Sequence, residues 1–198
     1  MNNIIAARTG LFSSYAEGLR RLPLAGVRYA EVGVSPETDY GETRRLADGA
    51  GVTITTTATG VKLGDRISVD AFRKVIAGTA AMGTGKVFVS TRMVEGVERN
   101  TALVEFRKLV EEAGRLGVTI CMETHPPFAL NAREAIRTMD EVNHPNLRMN
   151  FDTANIYYYN EGTDACQELT RVVDRVASVH LKDTDGKLKS SNFPVLGQ

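Results

Sequence analysis

Short segments of strand type alternate with segments of helix type along the whole chain, and this order constrains the fold more than any other feature. Strand patterns are predicted at 3–7, 27–34, 52–58, 86–90, 118–123, 147–152 and 176–182. Helical patterns lie between them, at 13–22, 37–49, 68–82, 101–116, 131–142 and 164–173. Strict βα alternation predicts a parallel sheet covered by helices.

Two architectures have this order of elements, an open doubly wound sheet and a (β/α)8 barrel. No Gly-x-Gly-x-x-Gly fingerprint follows the first strand, so nothing supports a dinucleotide-binding sheet. In the sixth predicted strand, Met149 and Phe151 alternate with Asn150 and Asp152. A strand covered by helices on both faces would be apolar on both faces. The alternation therefore predicts a barrel with a polar interior.

The predicted strands number seven, one fewer than a closed barrel of this type needs. We therefore expect an α/β fold of the (β/α)8 TIM-barrel type that is incomplete at the C-terminus. One barrel domain over residues 1–198 would lack the last helix and the eighth strand. Because an open barrel leaves two strand edges unpaired, a natural chain that continues past Gln198 is the simplest explanation.

Charge and cysteine content limit the classes of partner. Lys+Arg and Asp+Glu are both 24, so the formal net charge is zero, which argues against nucleic acid or an anionic membrane as a general partner. Neither a signal peptide nor an apolar run of about 20 residues is recognisable. Cys121 and Cys166 lie far apart and form no Cys-x-x-Cys pair. These features predict reduced thiols in a cytoplasmic protein.

Three segments place acidic and imidazole side chains at strand ends: Met122-Glu123-Thr124-His125, Asn150-Phe151-Asp152 and Val179-His180-Leu181. Glu123 and Asp152 are 29 residues apart, and Asp152 and His180 are 28 apart. This spacing is about one strand–helix–strand unit, so parallel strands would carry the three side chains to one end of the sheet. Two carboxylates and an imidazole suit a divalent metal ion. Oxygen ligands favour Mn²⁺ or Mg²⁺, and the histidine admits Zn²⁺ or Co²⁺.

Four further polar residues are candidates for contact with a substrate: Glu31, His125, Asn155 and Lys182. Glu31 lies on the second predicted strand with the parity that would carry it to the barrel mouth. His125 either binds substrate, supports the metal ligands or caps the following loop. Asn155 either hydrogen-bonds a substrate hydroxyl or closes a turn. Lys182 either binds an anionic oxygen or phosphate, or pairs with Asp152 or Glu31.

The Glu-x-His, Asp-x-x-Asn and His-x-Lys-Asp segments that begin at Glu123, Asp152 and His180 resemble those of the xylose isomerase-like TIM-barrel superfamily, the sugar phosphate isomerase/epimerase group. The resemblance spans the second to the seventh strand. It implies a divalent metal held by these three residues and by a carboxylate of an eighth strand, which has no counterpart in this chain. The resemblance also allows a homo-oligomer.

The chemistry that the resemblance implies is aldose–ketose isomerisation or ketose epimerisation of a sugar or polyol. A proton beside a carbonyl is removed through an enediolate, while the metal, Mn²⁺ first among the candidates, polarises the carbonyl. Glu123 would be both a metal ligand and the catalytic acid–base group on one face of the substrate.

Three other functions remain open at this point. The same scaffold supports a dehydratase of a keto-inositol-like polyol. Glu123 and Asp152 could serve a glycosidase-like site without metal, although His180 on the next strand argues against it. The chain could also be a catalytically inactive fragment that binds only a ligand or a partner subunit. The endonuclease branch of the superfamily needs many histidines and a basic surface, and this chain has three histidines and no net charge.

Overall fold

The structure is a computed structural model and describes residues 3–197. Its strands are β1 (Ala7–Arg8), β2 (Tyr29–Gly33), β3 (Thr53–Leu63), β4 (Lys86–Met93), β5 (Thr119–Glu123), β6 (Leu147–Asp152) and β7 (Val176–His180). Its α-helices are α1 (Tyr15–Arg21), α2 (Tyr40–Ala50), α3 (Arg66–Ala81), α4 (Arg99–Arg115), α5 (Ala132–Val142), α6 (Asn155–Tyr159) and α7 (Ala165–Val172). Short 3-10 turns follow β1, α1 and α7. None of the helices described is both long enough and apolar enough to cross a membrane.

The seven strands form one sheet in the order β1-β2-β3-β4-β5-β6-β7, and each neighbouring pair is parallel. A doubly wound sheet reverses its strand order at a switch point, and this sheet has no reversal. Strand order that follows the chain is the winding of a barrel. The predicted fold is therefore confirmed as an incomplete (β/α)8 barrel, a half-barrel of seven strands over residues 3–197. The expectation of a longer natural chain stays a prediction.

Helix ends follow local sequence signals. Asn131 caps α5, because its side chain accepts a hydrogen bond from the backbone N–H of Glu134. Asp65 caps α3 in the same way through the N–H groups of Ile67 and Ser68. At the other end of α2, Gly51 adopts a left-handed conformation with φ 65°, which residues with a Cβ rarely adopt.

The helices cover the outer face of the sheet, and the interior face is polar. Met149 and Phe151 of β6 point outwards into an apolar cluster that also contains Phe106 and Leu109 of α4. The intervening residue, Asn150, points inwards and accepts a hydrogen bond of 2.7 Å from the hydroxyl of Ser178 on β7. The alternation that predicts a barrel with a polar interior is thus present.

Several element boundaries differ from the predicted ones. The first strand is only Ala7–Arg8, so it begins at the last residue of the predicted 3–7 segment. The last strand, β7, ends at His180 and not at residue 182. The third and fourth strands continue beyond the predicted ends at 58 and 90, and they pair with each other as far as Leu63 and Met93. Gly60 and the polar residues near it look like a loop in sequence, and pairing with a neighbouring strand is what keeps them extended.

Candidate metal centre

The predicted metal ligands are the last residues of three consecutive strands. Glu123 ends β5, Asp152 ends β6 and His180 ends β7. Asp152 lies directly opposite His180 in the register of β6 and β7, and Glu123 lies opposite Asn150. Because the strands are parallel, their C-terminal ends meet at one rim of the half-barrel. Active sites of barrels of this type lie at that rim.

The three side chains form a tight, buried cluster. One donor atom from each, all within 4.8 Å of one another, could bind a shared ion. His180 Nδ1 lies 3.8 Å from Asp152 Oδ2 and 4.0 Å from Glu123 Oε1. Metal–donor distances are about 2.0–2.2 Å, so two donors of one ion lie up to roughly 4 Å apart. The observed spacing therefore leaves room for an ion between the three groups.

Two atoms of the cluster are buried without a hydrogen-bond partner in the described part of the chain, Asp152 Oδ2 and His180 Nδ1. The other carboxylate oxygen of Asp152 accepts the N–H groups of Ala154 at 3.0 Å and Asn155 at 2.9 Å. These bonds fix the carboxylate and leave Oδ2 facing His180. An unsatisfied buried polar group costs about 1–3 kcal/mol. A divalent ion would bind both atoms, so the donor set fits such an ion.

The second ring nitrogen of His180 binds Glu31. Nε2 lies 3.1 and 3.2 Å from the two carboxylate oxygens of Glu31, and Arg8 Nε lies 2.9 Å from Glu31 Oε1. Phe88 packs on the imidazole with ring centroids 4.5 Å apart. A histidine that donates one N–H to a carboxylate presents the lone pair of its other nitrogen to a metal. Glu31 thus lies in the site, and its predicted contact with substrate stays a prediction.

Lys182 brings a positive charge to the cluster. Its Nζ lies 2.6 Å from Asp152 Oδ2, in an orientation that does not make a hydrogen bond. The ammonium group also lies 5.6 Å from the ring centroid of Phe193. Of the two roles that the sequence leaves open for Lys182, the structure contains the ion pair with a barrel carboxylate. Its predicted contact with substrate stays a prediction.

Asn155 and His125 flank the cluster. Asn155 Nδ2 donates to Glu123 Oε1 at 3.2 Å and to the carbonyl oxygen of Thr124 at 3.1 Å, so it helps to orient the Glu123 carboxylate. It is also the first residue of α6, a helix that the sequence pattern did not reveal. His125 is half-buried, and its ring meets Tyr159 edge-on at 5.2 Å between centroids. Direct contact of Asn155 or His125 with substrate stays a prediction.

The charges of the cluster perturb one another. Burial raises the pKa of Glu123, and the adjacent Asp152 charge adds to the rise. For Asp152, burial acts in the same direction, but His180 and Lys182 outweigh it and hold the pKa below its ordinary value. Burial opposes the charged form of His180, yet Asp152 and Glu31 raise its pKa to about 9. The carboxylates therefore stabilise positive charge beside them, which a metal ion would also supply.

A cavity of about 520 Å³ opens beside the cluster, and Glu123 forms part of its wall. Much of the remaining wall comes from β3 and β4, including Lys62, Ser90 and Arg92. The sequence reasoning missed this wall because it ended both strands early. The signal that could have found it is the alternation of side chains, which continues through Gly60 and Lys62 on β3.

The sequence matches a family profile described as xylose isomerase-like TIM barrel over residues 20–197, which is most of the chain. Among curated protein sequences, none matches the chain significantly.

Solved structures with the same fold include three of interest. A xylose isomerase domain protein from Planctomyces limnophilus has 21% identity and a TM-score of 0.68, over 79% of this chain and 64% of that one. A probable 3-DHS dehydratase, AsbF, from Bacillus anthracis has 16% identity and a TM-score of 0.75, over 91% and 73%. A D-allulose 3-epimerase from Methylomonas sp., solved with D-allulose, has 18% identity and a TM-score of 0.75, over 91% and 72%. The chain thus spans under two thirds of the first of these proteins, and at these identities the likeness establishes the fold alone.

Proposed function

Because the chain belongs to the xylose isomerase-like TIM barrel family, we propose that it is a divalent-metal-dependent isomerase or epimerase of a sugar or polyol. The proposed ligands are Glu123, Asp152 and His180. Mn²⁺ is the first candidate, with Mg²⁺, Co²⁺ and Zn²⁺ as alternatives. One observation carries the proposal. Within the described residues, Asp152 Oδ2 and His180 Nδ1 are buried, make no hydrogen bond and lie 3.8 Å apart, with the Glu123 carboxylate beside them.

A divalent ion at these ligands would polarise a substrate carbonyl and stabilise the negative charge left when a neighbouring proton departs. The proton itself needs a group of the protein. Glu123 is our candidate, because its carboxylate forms part of the cavity wall and Asn155 holds one of its oxygens. Burial and the adjacent Asp152 charge raise the pKa of Glu123, which makes its carboxylate a better proton acceptor than an ordinary glutamate. Three protein ligands leave coordination positions for substrate oxygens.

The cavity and the relatives support a small polyhydroxylated substrate. A volume of about 520 Å³ lies in the usual range for small-molecule sites. The D-allulose 3-epimerase of the same fold was solved with a sugar. We include in the proposal a cytoplasmic location, supported by the free thiols of Cys121 and Cys166, and no nucleic-acid or membrane partner, supported by the zero net charge. A homo-oligomer is compatible with the proposal, which does not depend on it.

The first test is a calorimetric titration of Mn²⁺ into chelator-stripped protein, with wild type and Asp152→Asn side by side. We expect one site in wild type and a loss of affinity in the variant well above the roughly 10–100-fold that follows removal of a group supporting a ligand. The control is Asp174→Asn, since Asp174 is exposed and lies in the turn before β7, at the opposite end of that strand from His180. A folded wild type that binds no Mn²⁺ would contradict the proposal.

The second test asks for the reaction. Wild type loaded with Mn²⁺ is incubated in D₂O with a panel of ketoses and aldoses, and NMR follows deuterium entry at the carbon beside the carbonyl. Exchange that requires both metal and the Glu123 carboxylate is expected. Loss of water from a keto-polyol would identify the dehydratase instead, and the absorbance of the new conjugated product measures that reaction. Metal binding without either reaction would leave a ligand-binding protein and would overturn the isomerase proposal.

A further inference from the structure

The third and fourth strands continue past the level of the metal cluster and carry two cations side by side. Lys62 lies directly opposite Arg92 in the register of β3 and β4, and Gly60 lies opposite Ser90 one step earlier on the same face. Alternate residues of a strand share a face, so Arg92 faces the same way as Phe88, which packs on the imidazole of His180. Both cations therefore belong to the interior wall, and both line the 520 Å³ cavity.

Lys62 and Arg92 lack the ion-pair partners that many other charged residues of this protein have. On the helices, Arg73 pairs with Asp70 and Glu112, and Arg99 pairs with Glu141. Among residues 3–197 no carboxylate lies within ion-pair distance of Lys62 or Arg92.

The other charged residues of the cavity wall are already engaged. Arg8 is paired with Glu31 at 2.9 Å, and Glu123 belongs to the metal cluster. Like charges directly opposite each other on neighbouring strands are destabilising. Lys62 and Arg92 thus form a positively charged wall that a bound anion would stabilise.

The distance from this wall to the metal cluster suits one small molecule. Val89 of β4 is level with Met122 of β5, so Ser90 is level with Glu123. Arg92 lies two residues further along β4, which is about 7 Å at a rise of roughly 3.3 Å per residue. A sugar chain whose carbonyl end lies at Glu123 can place its other end between Lys62 and Arg92.

We propose that Lys62 and Arg92 form an anion-binding subsite for a phosphate or carboxylate group at the far end of the substrate. The inference rests on the proposed function and narrows its substrate class to anionic sugars or polyols. Arg92 offers a planar fork that can bind two oxygens of one anion, and Lys62 adds a compact charge beside it. Gly60 and Gly33 in the same wall add no side chain, and an added Cβ at Gly33 would meet no atom within 4 Å, so the approach is open.

The test uses metal-free protein, so that the anion cannot bind through a metal. Inorganic phosphate and, separately, acetate are titrated into ¹⁵N-labelled protein, with NaCl as the ionic-strength control. We expect phosphate to shift the backbone amides of residues 60–63 and 90–93 in a saturable manner. Arg92→Gln and Lys62→Gln should each weaken that binding about tenfold or more, the usual effect of losing a charge-assisted hydrogen bond. Lys74→Gln, at an exposed lysine of α3, should not weaken it.

The two anions distinguish the two sources of the same chemistry. Tighter binding of phosphate than acetate assigns the subsite to a phosphorylated substrate, and the reverse order assigns it to a carboxylated one. Absence of saturable shifts with both anions, or shifts that survive in the Lys62→Gln/Arg92→Gln double variant, would overturn the subsite.

The outcome is separable from that of the proposed function, because Mn²⁺ binding is titrated independently of phosphate binding. Mn²⁺ binding without anion binding rejects only the subsite. Anion binding without Mn²⁺ binding rejects the metal-dependent reaction and leaves the subsite standing. With an active enzyme, Arg92→Gln should raise KM for an anionic substrate about tenfold or more and leave KM for its neutral analogue unchanged.

Discussion

Glu123, at the rim of β5–β7, and the extensions of β3 and β4 line the same cavity, but the two regions differ in how their charges are compensated. On β5–β7, Glu123, Asp152 and His180 are buried and lie within 4.8 Å of one another. On β3 and β4, Lys62 and Arg92 are exposed and have no carboxylate partner in the described residues. A buried charge needs an opposite charge nearby, whereas water stabilises an exposed charge, which can remain unpaired until a ligand binds. The first wall is therefore suited to hold a metal in fixed geometry, and the second to select a substrate by charge.

The sharpest separation of the two walls comes from Glu123→Gln. The amide keeps the size of the side chain and cannot act as an acid–base group, so we expect substrate deuterium exchange to fall about 10²–10⁴-fold. Turnover of a substrate panel by NMR measures the effect, and circular dichroism verifies folding. On the other wall, Arg92→Gln should act on KM, with kcat retained. A Glu123→Gln protein with near-normal exchange would remove Glu123 from the chemistry.

Glu31→Gln tests whether the hydrogen bond from His180 Nε2 to Glu31 orients the imidazole ring for metal binding through Nδ1. Glu31 accepts from Nε2, and its removal should lower Mn²⁺ affinity about 10–100-fold. The ¹⁵N chemical shifts of the His180 ring nitrogens should also change, because the substitution removes the charged acceptor that favours a proton on Nε2. Arg8→Gln is the comparison: Arg8 contacts Glu31 and is half exposed, so its effect on affinity should be smaller. Equal ring shifts in wild type and Glu31→Gln would argue against a positioning role.

Asn155→Ala should have an intermediate effect. The Asn155 amide donates to Glu123 Oε1 and to the Thr124 carbonyl, and losing one such hydrogen bond costs about 1 kcal/mol. We expect about fivefold slower exchange, with Mn²⁺ affinity changed less than in Glu31→Gln. Asn160→Ala is a useful reference, because its amide binds the backbone carbonyls of Leu130 and Ile156, outside the cluster. A rate loss no larger than that of Asn160→Ala would assign Asn155 a purely structural role.

The smallest effect is on stability and separates an uncompensated cation from a paired one. Arg92→Gln removes one of two adjacent like charges. The free energy of unfolding, measured by thermal denaturation, should therefore change by no more than about 0.5 kcal/mol, and any change should be an increase. Arg99→Gln breaks bonds to Glu141 and Thr138 at a mostly buried position and should cost about 1 kcal/mol. A larger loss for Arg92→Gln than for Arg99→Gln would mean that Arg92 has a structural role.

The fold and the cluster of candidate metal ligands were accessible from sequence because both follow from short-range periodicity. Alternation of strand and helix patterns gave seven strands in barrel order. The parity of Glu123, Asp152 and His180, repeated at the pitch of one βα unit, predicted that they would meet, and their donor atoms do lie within 4.8 Å. The Asn131 cap could also be predicted, since it depends on residues three positions apart.

Contacts that join distant segments were decided only by the tertiary structure. Glu31 reaches His180 across 149 positions of sequence, because bending of the sheet brings β2 opposite β7. The third strand continues through Gly60 and Lys62 because β4 supplies its hydrogen bonds, which no local propensity reveals. Periodicity is a property of neighbouring residues and determines which face a side chain takes. Which charge that face then meets depends on how the sheet curves, and among the described residues this curvature brings no carboxylate to Lys62 or Arg92.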